Sequence, residues 1–301
     1  HLFPIENLIG DVDVFHSSDW LEPPVRSAKK ITTIHDFAVF KYPETFAVRG
    51  GHNIIKNQKR KLFFTKRECD LIICVSETTK QDAKEILKIP EKKLRVIYEA
   101  ADPLYFPRKK EEIQAVKEKF NITGEYLLCV GTREPRKNLD RVIMAFAEIS
   151  RVYSDLNLVI AGKYGWGDDS SRFKVQSSKL GSRVKILGFV EKEDLAALYS
   201  GAMAFVYPSL YEGFGLPILE AMVCGCPVVT SNVGSMKEVA GEAALLIDPL
   251  SVDNLAGAIS KLCRNQKLRE EMVLKGLKRA GEFSWEKTAL QTLQAYQSLL
   301  E

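Results

Sequence analysis

Short apolar runs alternate with longer amphipathic stretches along most of the chain. The apolar runs span three to six residues, which suits buried strands, and the stretches between them repeat apolar residues every three or four positions, as helices do. The predicted strands are Val12–His16, Ile31–Ile34, Leu71–Val75, Leu94–Ile97, Tyr126–Val130, Leu156–Ala161, Val184–Leu187, Ala204–Val206, Pro227–Thr230 and Ala244–Ile247. Because strands and helices alternate, the pattern predicts an α/β protein with parallel, doubly wound sheets.

One charged stretch interrupts this alternation. Residues 102–118 combine two prolines, dense charge and weak periodicity, which is typical of a linker. We therefore expect a first domain over residues 1–104 with four strands and a second over residues 105–284 with six. A last helix over residues 285–301 is expected to pack back on the first domain.

Composition narrows the class of protein further. The chain has 301 residues, 46% hydrophobic and 27% charged, which are ordinary values for a globular protein. Its net charge of +4 is concentrated in the first 110 residues and is too small to indicate a nucleic-acid partner. Six cysteines, two of them inside predicted strands, indicate reduced thiols in a cytoplasmic protein. No apolar run approaches the roughly 18 residues of a membrane span.

The first candidate site follows the first predicted strand of the second domain. Gly131 permits a tight turn, after which Arg133, Arg136 and Lys137 precede a helix for which Asn138 is a good N-cap. Cations at a helix N-terminus bind anions, and a diphosphate would suit them. The segment would also fit an ordinary solvated loop, and by itself it leaves both interpretations open.

A second candidate site follows the strand predicted at Ala204–Val206. Pro217 begins a helix there, and Gly213 and Gly215 allow backbone N–H groups to approach a ligand at its positive end. Glu212 and Glu220 can face one pocket, where a carboxylate accepts two hydroxyl hydrogen bonds from a sugar or ribose. An ordinary turn followed by a surface helix is the weaker alternative, because carboxylates, glycines and proline coincide at one strand end.

These segments resemble the retaining glycosyltransferases of family 4, which have the GT-B fold. Seven residues separate Glu212 from Glu220 in Tyr-Glu-Gly-Phe-Gly-Leu-Pro-x-x-Glu-Ala, as in that family's donor-site motif. Residues 131–138, Gly-Thr-x-Glu-Pro-Arg-Lys-Asn, are similar to its phosphate loop, and Thr33-Ile-His35-Asp36 is similar to its His-Asp motif. The resemblance implies two Rossmann-like domains that face each other across a cleft.

The resemblance extends over nearly the whole chain and departs from the family at two points. Residues 74–80 and 283–285 are further matches, and residues 31–46 are similar to mannosyltransferases of the family. The strand and glycine-rich loop that open the family's first domain are not found, so we expect this domain to be truncated. Glu99 stands where the family usually has Asn.

The resemblance also implies the roles of individual residues. The donor would be a nucleotide-diphosphate sugar, with GDP-mannose favoured over UDP-sugars, and the acceptor a saccharide or a lipid-linked molecule. His35 would face the donor sugar, Glu212 would lie beside it, Arg136 and Lys137 would hold the diphosphate, and these four form the predicted catalytic set. Glu220 would bind the ribose. The residues expected to contact the donor are Gly131, Arg133, Arg136, Lys137, Gly162, Lys163, Phe189, Val190, Glu212, Gly213, Phe214, Gly215, Leu216 and Glu220.

No metal or other cofactor is expected. Asp11-Val-Asp13 spells the Asp-x-Asp metal motif of another glycosyltransferase fold, but here it precedes an apolar run and is interpreted as the start of a strand. Cys224 and Cys226 have no second cysteine pair at zinc spacing. The resemblance implies retention of anomeric configuration, and since the sequence offers no clear nucleophile, we expect a front-face reaction that uses none from the enzyme.

The segment Ile54–Arg67 mixes six cations with apolar residues at helical spacing. Such a helix can lie on an anionic lipid surface, or it can pack one face on a sheet with its charges in water. We expect a cytoplasmic protein, and the first interpretation would place it peripherally on the inner membrane face. No nucleic-acid partner is expected.

Other classes of function remain open at this stage. The chain could be a truncated, non-catalytic nucleotide-sugar binding protein or a transferase subunit, which would bind donor without turnover. An NAD-dependent oxidoreductase is disfavoured because no Gly-x-Gly-x-x-Gly opens a strand–helix turn. A nucleotide-sugar epimerase would act on the donor without an acceptor.

Overall fold

The computed structural model describes residues 3–46, 51–165 and 180–301, and its strands form two parallel sheets. The chain divides into two compact units, one of residues 1–99 with 284–301 and one of residues 100–283. The predicted α/β class with parallel sheets is confirmed. No helix in the described ranges is long and apolar enough to cross a bilayer.

The first unit contains a four-stranded sheet with its strands in sequence order. The strands are β1 (Val14–Ser17), β2 (Lys29–Ile34), β3 (Leu71–Cys74) and β4 (Leu94–Val96). The helices are α1 (Glu6–Ile9), α2 (Ala38–Lys41), α3 (Gly51–Glu68), α4 (Glu77–Leu87) and, from the end of the chain, α12 (Trp285–Gln297), with 3₁₀ turns at Pro43–Phe46 and Glu91–Lys93. Helix α12 joins this unit because Ala295 packs among Ile31, Leu71 and Ile73.

The second unit contains a six-stranded sheet whose order places β5 at its centre. The strands are β5 (Glu125–Val130), β6 (Leu156–Ala161), β7 (Val184–Gly188), β8 (Ala204–Tyr207), β9 (Val228–Ser231) and β10 (Ala244–Ile247), in the order β10-β9-β8-β5-β6-β7. The described helices are α5 (Lys110–Lys119), α6 (Leu139–Ile149), α7 (Lys192–Gly201), α8 (Leu216–Val223), α9 (Gly234–Ala240), α10 (Val252–Arg264) and α11 (Gln266–Ala280), with 3₁₀ turns at Pro135–Lys137 and Gly181–Arg183. The strand order changes direction between β5 and β8, and ligands of such folds bind outside the carboxyl ends of the strands at that point.

The linker prediction is wrong over residues 110–119, which form helix α5. Val116 is buried, and Ile113 packs against Gly201, which has no side chain to occupy the space. Glu112 closes the helix start by accepting the backbone N–H of Lys109 at 3.0 Å. The dense charge lies on the solvent side of an amphipathic helix, which is why it could be mistaken for a linker.

The first strand begins at Val14 rather than Val12. Pairing with the next strand starts where Lys29 N donates to Asp13 O at 2.8 Å, so Asp11 and Asp13 precede the strand and do not open it. Five of the six cysteines are buried, Cys263 is half-buried, and all are free thiols, as expected for reduced cysteines.

Candidate active site

Two loops meet at the carboxyl ends of β5 and β8. Asn138 joins them, because its Nδ2 donates to Pro208 O at 2.9 Å and to Pro249 O at 2.7 Å. Asn138 is the N-cap residue of helix α6, as predicted, but its backbone is left-handed and its side chain makes no capping bond. The amide is used to hold the loops together instead.

Glu212 lies between two cations in the loop after β8. Its Oε2 accepts Arg136 Nη1 at 2.6 Å, and its Oε1 accepts Lys137 Nζ at 2.7 Å. Burial alone would raise the pKa of this carboxyl, but the charges of Lys137 and Arg136 outweigh it and hold the pKa at about 2. The carboxylate predicted beside the donor sugar and the cations predicted to hold the diphosphate therefore form one ionised cluster.

Most N–H groups of the Arg136 guanidinium donate hydrogen bonds to other residues of the protein. Its Nε and Nη2 donate to the two oxygens of Glu134 at 3.1 and 3.2 Å, and Nη1 donates to Tyr211 O at 3.1 Å as well as to Glu212. Four of its five N–H groups are thus occupied. This guanidinium shapes the loop and has little capacity left for a ligand.

Arg133 in the same loop, unlike Arg136, has guanidinium nitrogens without hydrogen-bond partners in the described part of the chain. Its side chain is 1% exposed, and the guanidinium carbon lies 3.6 Å from the ring centroid of Tyr164. Neither Nε nor Nη1 has a hydrogen-bond partner among the described residues. Buried N–H groups of a cation that lack acceptors are costly, so an anion bound at this position would offset that cost.

Helix α8 begins directly after the Glu212 loop. Its N-cap is Gly215, whose φ of +111° favours glycine and whose position provides no side-chain cap. Pro217 contributes no N–H, and the other N–H groups of the first turn carry the positive end of the helix dipole. Gly213 and Leu216 flank this turn, which presents backbone groups and no charged side chain.

Glu220 lies in helix α8 and accepts the Tyr199 hydroxyl at 3.0 Å. Burial raises the pKa of this carboxyl to about 7, although the Tyr199 bond and the charge of Lys192 act in the other direction. Carboxyl groups with a pKa near 7 are rare in proteins, and those that occur are concentrated at functional sites.

The raised pKa of Glu220 makes folding stability depend on pH. The folded chain keeps this proton between pH 4.5 and about 7, where the unfolded chain has released it, so the contribution to stability is lost as pH rises through that window. We expect Glu220→Gln to remove the loss, which amounts to about 1 to 3 kcal/mol. Urea unfolding of both proteins at pH 5 and pH 8 measures the difference; equal pH slopes would contradict the assignment.

The residues predicted beside the nucleobase lie after β6 and β7. Gly162 approaches the neighbouring loop so closely that a Cβ there would lie 1.9 Å from Gly131 O, so only glycine fits. Lys163 Nζ lies 4.5 Å from the ring centroid of Phe189, which is 58% exposed, whereas Val190 is buried. An exposed ring beside a cation offers a stacking surface.

Phe214 contributes only its backbone to the site. Its ring is buried and lies edge-on to Phe283 with the centroids 6.0 Å apart. The backbone carbonyl of Glu212 accepts a hydrogen bond from Ser235 Oγ at 2.7 Å. The path of the loop from Glu212 to Gly215 is therefore supported by the packing of Phe214 and by the Ser235 hydrogen bond.

His35 belongs to the first unit, where it follows β2. Its Nδ1 lies 3.2 Å from Glu99 Oε1, and this hydrogen bond raises the pKa of the imidazole, partly offset by burial. The contact explains what Glu99 does in place of the usual Asn. Its carboxylate orients the His35 ring and favours the imidazolium form, which a neutral amide would not do.

Glu99→Gln is expected to lower the pKa of His35. The stability that the pair contributes is present below the usual histidine pKa of about 6.5 and is lost as pH rises through the higher pKa of folded His35. An NMR titration of the His35 ring protons compares the two proteins. An unchanged titration midpoint would show that Glu99 does not act on the ring.

Sequence reasoning missed several residues that shape this site. Glu134 occupies Arg136, and the hydroxyls of Tyr199 and Tyr207 bond Glu220 and Lys137. The two tyrosines stand in ordinary apolar patterns, so no sequence signal marked them. No cluster of three potential His, Cys, Asp or Glu metal ligands occurs in the described part of the chain.

The two parallel sheets, with charged and glycine-rich loops at a strand-order reversal, define a GT-B glycosyltransferase architecture. HepE of Anabaena, solved in complex with UDP and glucose, has this fold and matches 90% of this chain and 72% of its own with a TM-score of 0.77 and 21% identity. Sucrose-phosphate synthase from Thermosynechococcus elongatus matches 98% of this chain and 75% of its own with a TM-score of 0.76 and 25% identity.

The chain belongs to the glycosyl transferases group 1, whose family model matches residues 109–279. The model of Glycosyltransferase Family 4 matches residues 2–103. The O-antigen chain mannosyltransferase B of Escherichia coli is 34% identical over 288 residues, which cover 95% of this chain and 74% of that protein. The predicted family and the prediction of a glycosyltransferase with mannosyltransferase relatives are therefore confirmed.

Proposed function

We propose that this glycosyltransferase moves a mannosyl residue from GDP-mannose to a saccharide or lipid-linked acceptor, with retention of configuration and without a metal. Two observations carry the proposal: the buried guanidinium of Arg133 has two nitrogens, Nε and Nη1, without hydrogen-bond partners among the described residues, and Lys137 of the same loop is paired with Glu212. Such a site gains acceptors and charge balance when a diphosphate binds.

A sequence relative and a solved structure support different donors for this chain. A mannosyltransferase is among the relatives, which supports mannose as the transferred sugar. HepE was solved with UDP and glucose, so a UDP-sugar is the competing donor. The exposed Phe189 ring beside Lys163 suits either base, because stacking alone discriminates weakly between them.

The chemistry follows from where charge develops. As the bond between sugar and diphosphate breaks, negative charge grows on the leaving group and positive charge on the sugar. Lys137, Arg133 and the N-terminus of helix α8 supply the positive charge that stabilises the leaving diphosphate. Glu212 is held by two cations, so it suits electrostatic support of the sugar better than nucleophilic attack.

A turnover assay tests the proposal. The chain is incubated with GDP-mannose, UDP-glucose or ADP-glucose and a mannose-terminated oligosaccharide, with and without EDTA. We expect GDP release and an α-linked product by NMR, both unchanged by EDTA. Loss of activity in EDTA would overturn metal independence, a β-linked product would overturn retention, and preference for UDP-glucose would overturn the donor.

The same assay separates a binding protein from an enzyme. A transferase subunit or a non-catalytic chain would bind the nucleotide sugar with normal affinity yet release no nucleoside diphosphate with any acceptor. We favour the enzyme because Arg133 and Lys137 follow one strand and Glu212 follows its neighbour in the sheet, where Lys137 and Glu212 form an ion pair.

We also infer peripheral contact of helix α3 with anionic lipid. The helix buries Leu62 and Lys61 and leaves Phe63 half exposed, with the Arg67 guanidinium 5.2 Å from its ring centroid. An aromatic ring flanked by cations suits a membrane interface. Sedimentation with vesicles containing phosphatidylglycerol should pellet the protein, and Phe63→Ser should weaken pelleting; no pelleting at low salt would reject the contact.

A further inference from the structure

Four aromatic side chains of the second unit pack in a line that we call the aromatic row: Tyr105, Tyr199, Phe205 and Tyr207. Their successive ring centroids are 5.9, 5.2 and 5.4 Å apart, the first two pairs edge-on and the last stacked. All four side chains are buried. Because each ring is fixed by its neighbours, the row sets the positions of its polar ends.

Two tyrosines of the row, Tyr199 and Tyr207, form hydrogen bonds with different functional groups. Tyr199 comes from helix α7 and donates to Glu220 Oε2 at 3.0 Å. Tyr207 ends strand β8, and its oxygen accepts Lys137 Nζ at 2.7 Å. Phe205, which has no hydroxyl, lies between these two tyrosines in the row.

Each hydroxyl compensates a particular cost of burial. Burial disfavours the charged form of Glu220, and a donated hydrogen bond restores part of the stability of its carboxylate. Burial likewise lowers the pKa of Lys137, and Tyr207 gives the ammonium an acceptor that carries no charge. Burial raises the pKa of both tyrosines well above the usual value, so both are neutral phenols.

We propose that Tyr199 and Tyr207 are positioning residues of the donor site, with Tyr199 orienting Glu220 for the ribose and Tyr207 orienting Lys137 for the diphosphate. This assignment rests on the proposed function. The rigid row holds the two groups at a constant separation. A nucleoside diphosphate therefore meets a carboxylate and an ammonium that are already in place.

Phenylalanine substitutions test the assignment, because they remove a hydroxyl and keep the ring. Titration calorimetry compares wild type, Tyr199→Phe and Tyr207→Phe with two probes: inorganic pyrophosphate, and GDP or UDP, whichever binds the wild type. Tyr199→Phe should weaken the nucleotide about tenfold and leave pyrophosphate within about twofold. Tyr207→Phe should weaken both probes about tenfold, since both contain the diphosphate.

A pH series adds a readout that a purely structural role would not move. Tyr199→Phe removes the bond that favours the Glu220 carboxylate, so the pH at which nucleotide affinity rises should shift upward, while the pyrophosphate profile stays unchanged. Equal weakening of both probes by Tyr199→Phe, or an unshifted profile, would overturn the assignment for Tyr199. Wild-type affinity of Tyr207→Phe for pyrophosphate would overturn the assignment for Tyr207.

Matched variants separate this inference from the proposed function. Tyr105→Phe removes a hydroxyl from the same row that donates to neither Glu220 nor Lys137 in the described structure, and it should bind both probes as wild type does. Glu220→Ala and Lys137→Ala test the donor site itself. If they leave nucleotide binding unchanged, the site and the inference both fail; if they abolish it while the phenylalanine variants bind normally, only the inference fails.

Discussion

Replacing Lys137 with alanine is expected to lower kcat/KM for sugar transfer by a factor of about 100 to 1,000. Lys137 Nζ is held at 2.7 Å by both Glu212 and Tyr207, so its charge is fixed before any donor arrives. Charge fixed in advance stabilises the leaving diphosphate without a reorganisation cost. Steady-state kinetics with saturating acceptor measures the loss.

Two controls accompany this prediction. Lys119→Ala removes an exposed ammonium of the same unit that pairs with Asp194 and lies 5.6 Å from the ring centroid of Phe120, and it should leave the kinetics unchanged and the stability nearly so. Thermal unfolding of Lys137→Ala shows whether the change acts through folding, because Glu212 would keep Arg136 as its remaining cation. A folded variant with wild-type kcat/KM would contradict the role of Lys137.

Replacing Arg133 with methionine is expected to act on stability and on binding with opposite signs. The buried guanidinium lacks partners at Nε and Nη1, so a neutral side chain of similar length should raise the free energy of unfolding by about 1 to 3 kcal/mol. The same change should weaken nucleoside diphosphate binding by about 10- to 100-fold, because it removes a charged donor. Urea unfolding and titration calorimetry measure the two effects.

Arg136→Met is the matched control in the same loop. Its guanidinium holds Glu134 and Glu212, so its removal leaves two buried carboxylates with fewer partners and should destabilise the chain by about 3 to 5 kcal/mol. If Arg133→Met destabilised the chain as much as Arg136→Met does, or left nucleotide affinity unchanged, Arg133 would be a structural residue.

The segments of the candidate site could be identified from the sequence because the residues that indicate them lie close together along the chain. The turn at Gly215, the proline at Pro217 and the carboxylates Glu212 and Glu220 stand together after one apolar strand, and parallel strands direct such loops to one edge of the sheet. Local spacing was therefore sufficient to name the segment and, with the family resemblance, the glycosyltransferase family.

The state of each side chain could not be predicted in the same way. Whether Arg136 is available to an anion depends on Glu212, a residue 76 positions away along the chain. Asn138 shows the same limit, since its amide bonds Pro208 and Pro249 rather than the helix that it precedes. Hydrogen-bond partners brought together by tertiary packing leave no local pattern in the sequence.

Helix α5 was predicted to be a linker because its many charged residues obscure its helical periodicity. The stretch 110–119 has one fully buried side chain, Val116, and its helical periodicity is weak against a background of lysine and glutamate. The contact between Ile113 and Gly201 stabilises it, and that contact depends on a glycine in a different helix. Propensity and composition alone therefore favoured a linker.

A thermal-shift titration with GDP, UDP and ADP on wild type and Glu220→Ala tests the donor site most directly. Ligand binding to the folded chain raises the unfolding temperature by mass action. The structure predicts that one diphosphate, GDP in our proposal, stabilises the wild type and that Glu220→Ala loses most of this shift. No shift with any of the three, or an equal shift in Glu220→Ala, would contradict a nucleotide site at the carboxyl ends of β5 and β8.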